Sequence, residues 1–191
     1  HTMANITGLD LFPQFIDLLN QRSRESGLSL RLKGIVGDMG NLPFEQESLD
    51  LIWSEGAIYN IGFKQGIQLW KPFLKPGGWL AVSEATWFTE HRPQEIEQFW
   101  RDAYPEIDTV EQKLKQLEEA GYRHISSFTL PDNCWTTHFY QPQQEAQRFF
   151  LERYPDSPTA EMLVANQRHE AELYGKYNAY YGYTFFVAQR P

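Results

Sequence analysis

Cysteine is almost absent from this chain of 191 residues, which carries Cys134 alone. One thiol cannot close an internal disulfide, which excludes a disulfide-stapled scaffold and fits a reducing cytoplasm. Long apolar runs are missing too. Phe185-Phe186-Val187-Ala188 is typical of the longest, far short of the roughly 20 residues a membrane helix needs. The opening residues lack the basic-then-apolar pattern of a secretory leader, so neither a leader nor a membrane partner is expected. Positive charge is in deficit: 17 Lys and Arg against 25 Asp and Glu give a formal net charge of −8. Binders of nucleic acid neutralise phosphates with Lys and Arg, so a nucleic-acid partner is not expected either. His91, His124, His138 and His169 stand in neither HxxxH nor HxH spacing, which leaves no expected metal site. No Ser occupies a GxSxG elbow, which argues against an α/β-hydrolase. Cys134, within Asn133-Cys134-Trp135-Thr136, has no CxxC partner and reads as an incidental thiol.

Aromatic residues are the one excess, with 6 Trp, 10 Tyr and 13 Phe. That much ring surface suggests a generous core or a pocket for a partly apolar ligand. The length fits one domain, since single cores usually run to roughly 100–200 residues. His1-Thr2-Met3 reads as a tag remnant. The rest, 4–191, reads as a single α/β domain: strand 4–10, a helix from Phe12 closed by Gly27, strand 30–36, strand 49–54, helix 61–74, a Lys75-Pro76-Gly77-Gly78 turn and strand 79–83. Strands and helices alternating in this way produce parallel sheets, and short apolar strands suit sheets covered on both faces. Residues 85–108 break the alternation with Trp87, Phe88, Phe99, Trp100 and Tyr104 among prolines, and read as an inserted lid or cap. Helix 109–120, strand 122–130, helices 143–154 and 160–177, and strand 183–189 complete the chain. Glu111, Lys113, Lys115, Glu118 and Glu119 read as the solvated face of their helix.

Three acids stand at strand carboxyl ends: Asp10, Asp38 and Glu84. In open α/β sheets ligands sit outside those ends. A carboxylate offers only acceptors and a ribose diol offers donors, which gives Asp10 the position for a nucleotide ribose. Asp38 could accept from a purine amine, with Met39 as an apolar face. The competing structural role for each is to cap the next turn. Trp87, Phe88, Trp100, Tyr104, Trp135 and Tyr140 could form an aromatic cage over a substrate, or simply pack as core and lid.

The segments ITGLDLFPQFIDLL, GIVGDMGNLPF, LDLIWSEGAIYNIGF, LKPGGWLAVSE and YGYTFFVAQ together resemble the class I S-adenosylmethionine-dependent methyltransferases. The similarity is greatest to a small bacterial group with the WSEGAIYNIGF segment, and it runs from about Ile6 to the C-terminus. It implies a Rossmann-like fold with a mostly parallel sheet and an antiparallel last strand, and S-adenosylmethionine as cofactor. It also implies cofactor contacts from Asp10, Leu11, Asp38, Met39, Ser54 and Glu55. The substrate side would fall to Tyr59 and Asn60, beside Gly56, with Trp87, Trp100, Tyr104 and Trp135 from the aromatic set. Glu55, Tyr59 or Glu84 could act as general base, with nothing in the sequence selecting among them. No NPPY signature is present, so amino-methylation of bases or glutamine has no support.

The departure from the family is the missing glycine-rich turn after a first, central strand; nothing like GxGxG occurs, and its place would lie before Ile6. The expectation is therefore a methyltransferase acting on a small molecule, in a truncated form that binds its cofactor poorly or not at all. Without a central strand, the neighbouring strands must re-pair, borrow a strand from a second copy, or leave open edges that invite a homodimer. Two alternatives stand beside it: a nicotinamide-dependent oxidoreductase, which would share the sheet and an acid like Asp10, and a non-catalytic, self-associating fragment.

Overall fold

In the computed structural model, which describes residues 3–191, β1 (Ile6–Asp10) and β2 (Leu32–Val36) form a parallel pair joined through α1 (Pro13–Glu25). His1 and Thr2, assigned above to a tag remnant, lie outside the described residues. Pro13 sits at the start of α1, where its fixed φ and missing N–H cost nothing. Gly8 and Gly34 face each other in register, and a Cβ at Gly8 would lie 2.6 Å from Leu19 Cδ2. These two glycines let α1 lie directly on the strand pair. Asn20 exchanges hydrogen bonds with the Gly34 backbone at 2.7 and 3.1 Å, and Ser23 donates to the Leu32 carbonyl at 2.6 Å. Side chains of α1 thus close the outer edge of β2.

A second sheet holds β3 (Leu49–Ser54), β4 (Leu74–Trp87), β7 (Tyr181–Gln189) and β6 (Arg123–Thr129), in that order, with β5 (Asp108–Thr109) beside the end of β4. β3 runs parallel to β4, while β7 is antiparallel to both β4 and β6. The expected α/β class and the antiparallel last strand are both present. Between β3 and β4 lies α2 (Phe63–Trp70), and α4 (Val110–Glu119) leads into β6. Ile67, Trp70, Leu117 and Tyr122 pack there against Leu80, Val82 and Phe186 of the sheet. A second core gathers at the far ends of β4 and β7, where Ile96 and Trp100 of α3 (Gln94–Ala103) meet Leu173, Tyr174 and Tyr177 of α6 (Pro158–Tyr177). α5 (Gln141–Arg153), preceded by a π-helical turn over Thr136–Tyr140, lies against α6, where Gln147 donates to Gln167 and accepts from Arg168.

Several expectations change in detail. The helix expected over 61–74 stops at Trp70 and finishes as a 3₁₀ turn, Lys71–Phe73, because Pro72 cannot continue the hydrogen-bond ladder. The Lys75–Gly78 turn is part of a single long β4 with a register shift against β3, held by Gly77 and Gly78 pairing with Arg190. Residues Ala85–Trp87, read as the start of an insertion, continue β4 and pair with β7. The sheet is also not covered on both faces. Leu51 and Trp53 of β3 are 47% and 63% exposed. Among the described residues, β1 and β3 each have a strand neighbour on one side only, so the molecule carries two sheets, each with an unpaired edge strand, rather than one.

Candidate active site

The acids at the strand tips come together in part. β1 and β2 run parallel in register, and the Gly37 amide donates to the Asp10 carbonyl at 2.9 Å, which puts Asp10 and Asp38 at the same end of one strand pair. Each uses one carboxylate oxygen to stop its own turn: Asp10 Oδ1 accepts from the Phe12 amide at 2.8 Å, and Asp38 Oδ1 from the Gly40 amide at 2.7 Å. So both take the capping role, and among the described residues each has a second oxygen without a hydrogen-bond partner. Two neighbouring acceptor carboxylates suit a diol and an exocyclic amine, the donor pattern of an adenosyl group. Leu11 is exposed beside them. Met39 packs against the first core, and its carbonyl accepts from Trp70 Nε1 at 2.8 Å. That bond fastens the Asp38 turn to α2, which packs on the larger sheet.

The segment after β3 supplies the next group. Ser54 ends the strand, and Gly56, at a φ of 55°, donates its amide to Ser83 Oγ at 2.8 Å. Glu55 is exposed, with Oε1 accepting from Trp53 Nε1 at 2.7 Å. Tyr59 sets its ring edge-on to Tyr104, with centroids 6.1 Å apart. Asn60, expected on the substrate side, instead donates to the Ala57 carbonyl at 2.9 Å and lies off the cavity.

Beyond these tips lies a cavity of about 570 Å³. Glu55, Gly56, Tyr59, Ser83 and Ala85 form one side. Trp100 and Tyr104 of α3, Trp135, the π-helical His138 and Phe139, Glu170 of α6 and Tyr183 of β7 form the rest, with Cys134 among them. Of the aromatic set, Trp100, Tyr104 and Trp135 line it. Trp87 does not: it is buried, with the Arg92 guanidinium 4.3 Å over its ring and Tyr181 against its edge. Trp135 offers no free face for a cage. Tyr174 stacks on it at 4.9 Å and Tyr183 at 4.6 Å.

Glu84 departs most from its expected role. It does not line the cavity; at 1% exposed it meets Lys113, 0% exposed, through a 2.8 Å ion pair. Tyr104 donates to the same Oε1 at 2.6 Å, and Lys113 also donates to the Glu106 carbonyl at 2.8 Å. Burial pushes the Glu84 carboxyl above its ordinary value, against the opposing pull of Lys113 and Tyr104. Lys113 is thus a buried tether from α4 to β4, not part of a solvated face, and Glu84 is a positioning residue that fixes the Tyr104 hydroxyl. Burial and the neighbouring Glu84 hold Tyr104 protonated well beyond its usual range.

Glu170, Tyr183, His138, Phe139 and Ser83 were not anticipated as lining residues. Glu170 accepts from Tyr140 Oη at 3.0 Å, and its carboxyl is pushed up by burial, partly opposed by that bond. A signal for it existed, since Glu170 falls on the buried stripe of α6 with Leu173, Tyr174 and Tyr177.

Residues 1–82 match the family described as a methyltransferase domain. The chain is 30% identical over 138 residues to the sterol 24-C-methyltransferase of Pneumocystis carinii, covering 66% of this chain and 36% of that protein. It is 32% identical over 117 residues to the phthiotriol/phenolphthiotriol dimycocerosates methyltransferase of Mycobacterium leprae, covering 61% and 38%. The chain therefore spans well under half the length of these relatives. A SAM-dependent methyltransferase from Geobacter sulfurreducens, solved with S-adenosyl-L-homocysteine, shares the fold with a TM-score of 0.78 at 21% identity, over 97% of this chain and 75% of that one.

Proposed function

We propose that this chain is a class I S-adenosylmethionine-dependent methyltransferase and takes part in methyl transfer from S-adenosylmethionine to a small-molecule acceptor. The observation that carries the reading is the pairing of Asp10 and Asp38 at one end of β1–β2, bonded through Met39 to α2, which packs on a sheet whose loops open on an aromatic cavity. When bound, the cofactor supplies a sulfonium methyl group. Asp10 would accept from its ribose hydroxyls and Asp38 from its adenine amine, with Leu11 and Met39 as apolar contacts and Ser54 and Glu55 facing the methionine end. Residues 4–191 act as one domain, with α3 as part of the cap over the acceptor. The contribution of the chain is alignment of acceptor and methyl group and exclusion of water by the ring walls. Glu55 and Tyr59 are the base candidates that reach the cavity, and Glu170 joins them. The free thiol of Cys134 in the wall suits a reducing cytoplasm.

The open edges of β1 and β3 support two further parts of the reading. The cofactor surface is divided between two sheets, so this polypeptide alone binds the cofactor weakly, above the micromolar range. A second copy pairing along those edges is the partner that the geometry favours, and a non-catalytic, self-associating role is the alternative it leaves. Calorimetric titration of S-adenosylhomocysteine, with light scattering on the same sample, tests these together. Expected are weak binding that Asp10→Ala abolishes and a mass above that of one chain. Micromolar binding would overturn the weak-binding statement, binding indifferent to Asp10 would overturn the cofactor site, and a monomer would overturn the pairing.

A further inference from the structure

We propose that the cavity between α3, α6 and β7 takes an organic amine, held as its ammonium by Glu170, with an aromatic or aliphatic body against the ring walls. The proposal deepens the methyl-transfer reading by naming the acceptor class; it rests on that reading for the transfer and not for the binding.

The charges around the space favour a cation. The lining carries two carboxylates, Glu55 and Glu170, and neither Lys nor Arg. Lys113 is unavailable to it, being fully buried and bonded to Glu84 and the Glu106 carbonyl. A carboxylate or phosphate ligand would meet two like charges and, beyond the imidazole of His138, no group able to carry a positive charge, an arrangement that disfavours anions. Glu170 is half-buried, and among the described residues the one partner of its carboxylate is the neutral Tyr140 hydroxyl. Burial raises its carboxyl, as expected of a site that lacks a counter-ion. An ammonium beside it supplies that charge and forms a charge-assisted hydrogen bond.

The walls set the remainder of the ligand. Tyr59, Trp100, Tyr104, Phe139 and Tyr183 surround the space with apolar ring surface. Rings also favour a cation over a neutral group of the same shape. About 570 Å³ accommodates a body larger than a bare methylamine. Methylation of such an amine requires the ammonium to lose a proton, for which Glu170 is the acceptor at hand. The nitrogen lone pair then forms the N–C bond while the departing sulfur keeps the electrons of the C–S bond, so the positive charge ends on nitrogen.

The test titrates 4-phenylbutylamine, 4-phenylbutanol and 4-phenylbutanoate into the full chain, read by calorimetry and by the fluorescence of Trp100 and Trp135. The amine should bind at least about tenfold more tightly than the alcohol, and the carboxylate not measurably. Glu170→Gln keeps an acceptor for Tyr140; it should weaken the amine about tenfold and move the alcohol by less than about threefold. Equal binding of amine and alcohol, or preference for the carboxylate, overturns the proposal, as does a Gln variant with the amine preference intact. Should that variant not fold, the ligand series on the unaltered chain decides alone. Transfer from labelled cofactor is scored separately. Amine binding without transfer counts against the enzymatic reading and leaves the amine site standing, whereas transfer to the alcohol without amine binding does the reverse.

Discussion

Replacing Lys113 by Met isolates the buried Glu84 carboxylate, and the structure fixes how the cost should depend on pH. In the native protein the pair is closed at 2.8 Å with both partners almost without solvent contact. Removing one partner of such a pair costs about 3–5 kcal/mol, because the remaining charge is left uncompensated. For a chain of this size that amounts to a loss of roughly 6–20 °C in melting temperature. Burial already holds the Glu84 carboxyl above its ordinary value of 4.5, and without Lys113 the strongest opposing influence disappears. Between 4.5 and that raised value, the folded variant holds a proton that the unfolded chain has released. Stability therefore falls as pH rises through that window, and the penalty shrinks towards acid, where Glu84 is neutral in both states. Urea unfolding followed by tryptophan fluorescence at pH 5 and pH 8 should show the larger loss at pH 8. The double variant Glu84→Gln/Lys113→Met should lose about 1.5–3 kcal/mol less than the two single losses added together. A loss below about 1 kcal/mol at pH 8, equal losses at both pH values, or simple additivity would refute the reasoning.

Gly62 adopts a φ of 81°, and a Cβ there would lie 2.5 Å from Glu106 Oε1. Gly62→Ala should therefore lower stability by about 1–3 kcal/mol in urea unfolding. Gly175, inside α6 with open space around it, should show the opposite sign: Gly175→Ala should stabilise by about 0.5–1 kcal/mol in the same assay. Thr109 caps α4 by accepting from the Gln112 amide at 3.3 Å, so Thr109→Ala should cost about 1 kcal/mol, while Thr109→Ser should cost less than half of that. Cys134 lines the cavity as a free thiol, so a ligand held there should slow its reaction with a thiol reagent; an unchanged rate at saturation would place the ligand elsewhere.

The sequence carried more of the site than its plainest reading extracted. Lys113 looks like one of several charges on a solvated helix. Yet it sits three residues after Val110 and four before Leu117, on the apolar stripe of α4, and that spacing marks a buried lysine in need of a partner. Glu170 stands in the same relation to Tyr174 and Tyr177 on α6. By contrast, the positions of Asn60 and Trp87 were not legible. Asn60 folds back on its own turn, and Trp87 is drawn into the second core by Tyr181, distant in sequence, with the nearby Arg92 over its ring.

What the amino-acid order determined by itself was local and periodic: the strand over Leu49–Ser54, the helix begun by Pro13, the acids that end β1 and β2, and the stop imposed by Pro72. These follow from side-chain alternation, fixed φ and turn chemistry within a few residues. Only the tertiary structure decided that the strands divide into two sheets, that Glu84 is taken by Lys113 rather than left for catalysis, and that Trp135 is sandwiched rather than presented to a ligand. Each of those outcomes depends on contacts between segments far apart in the chain, where burial and pairing compete across the whole fold and no short stretch of sequence records the result.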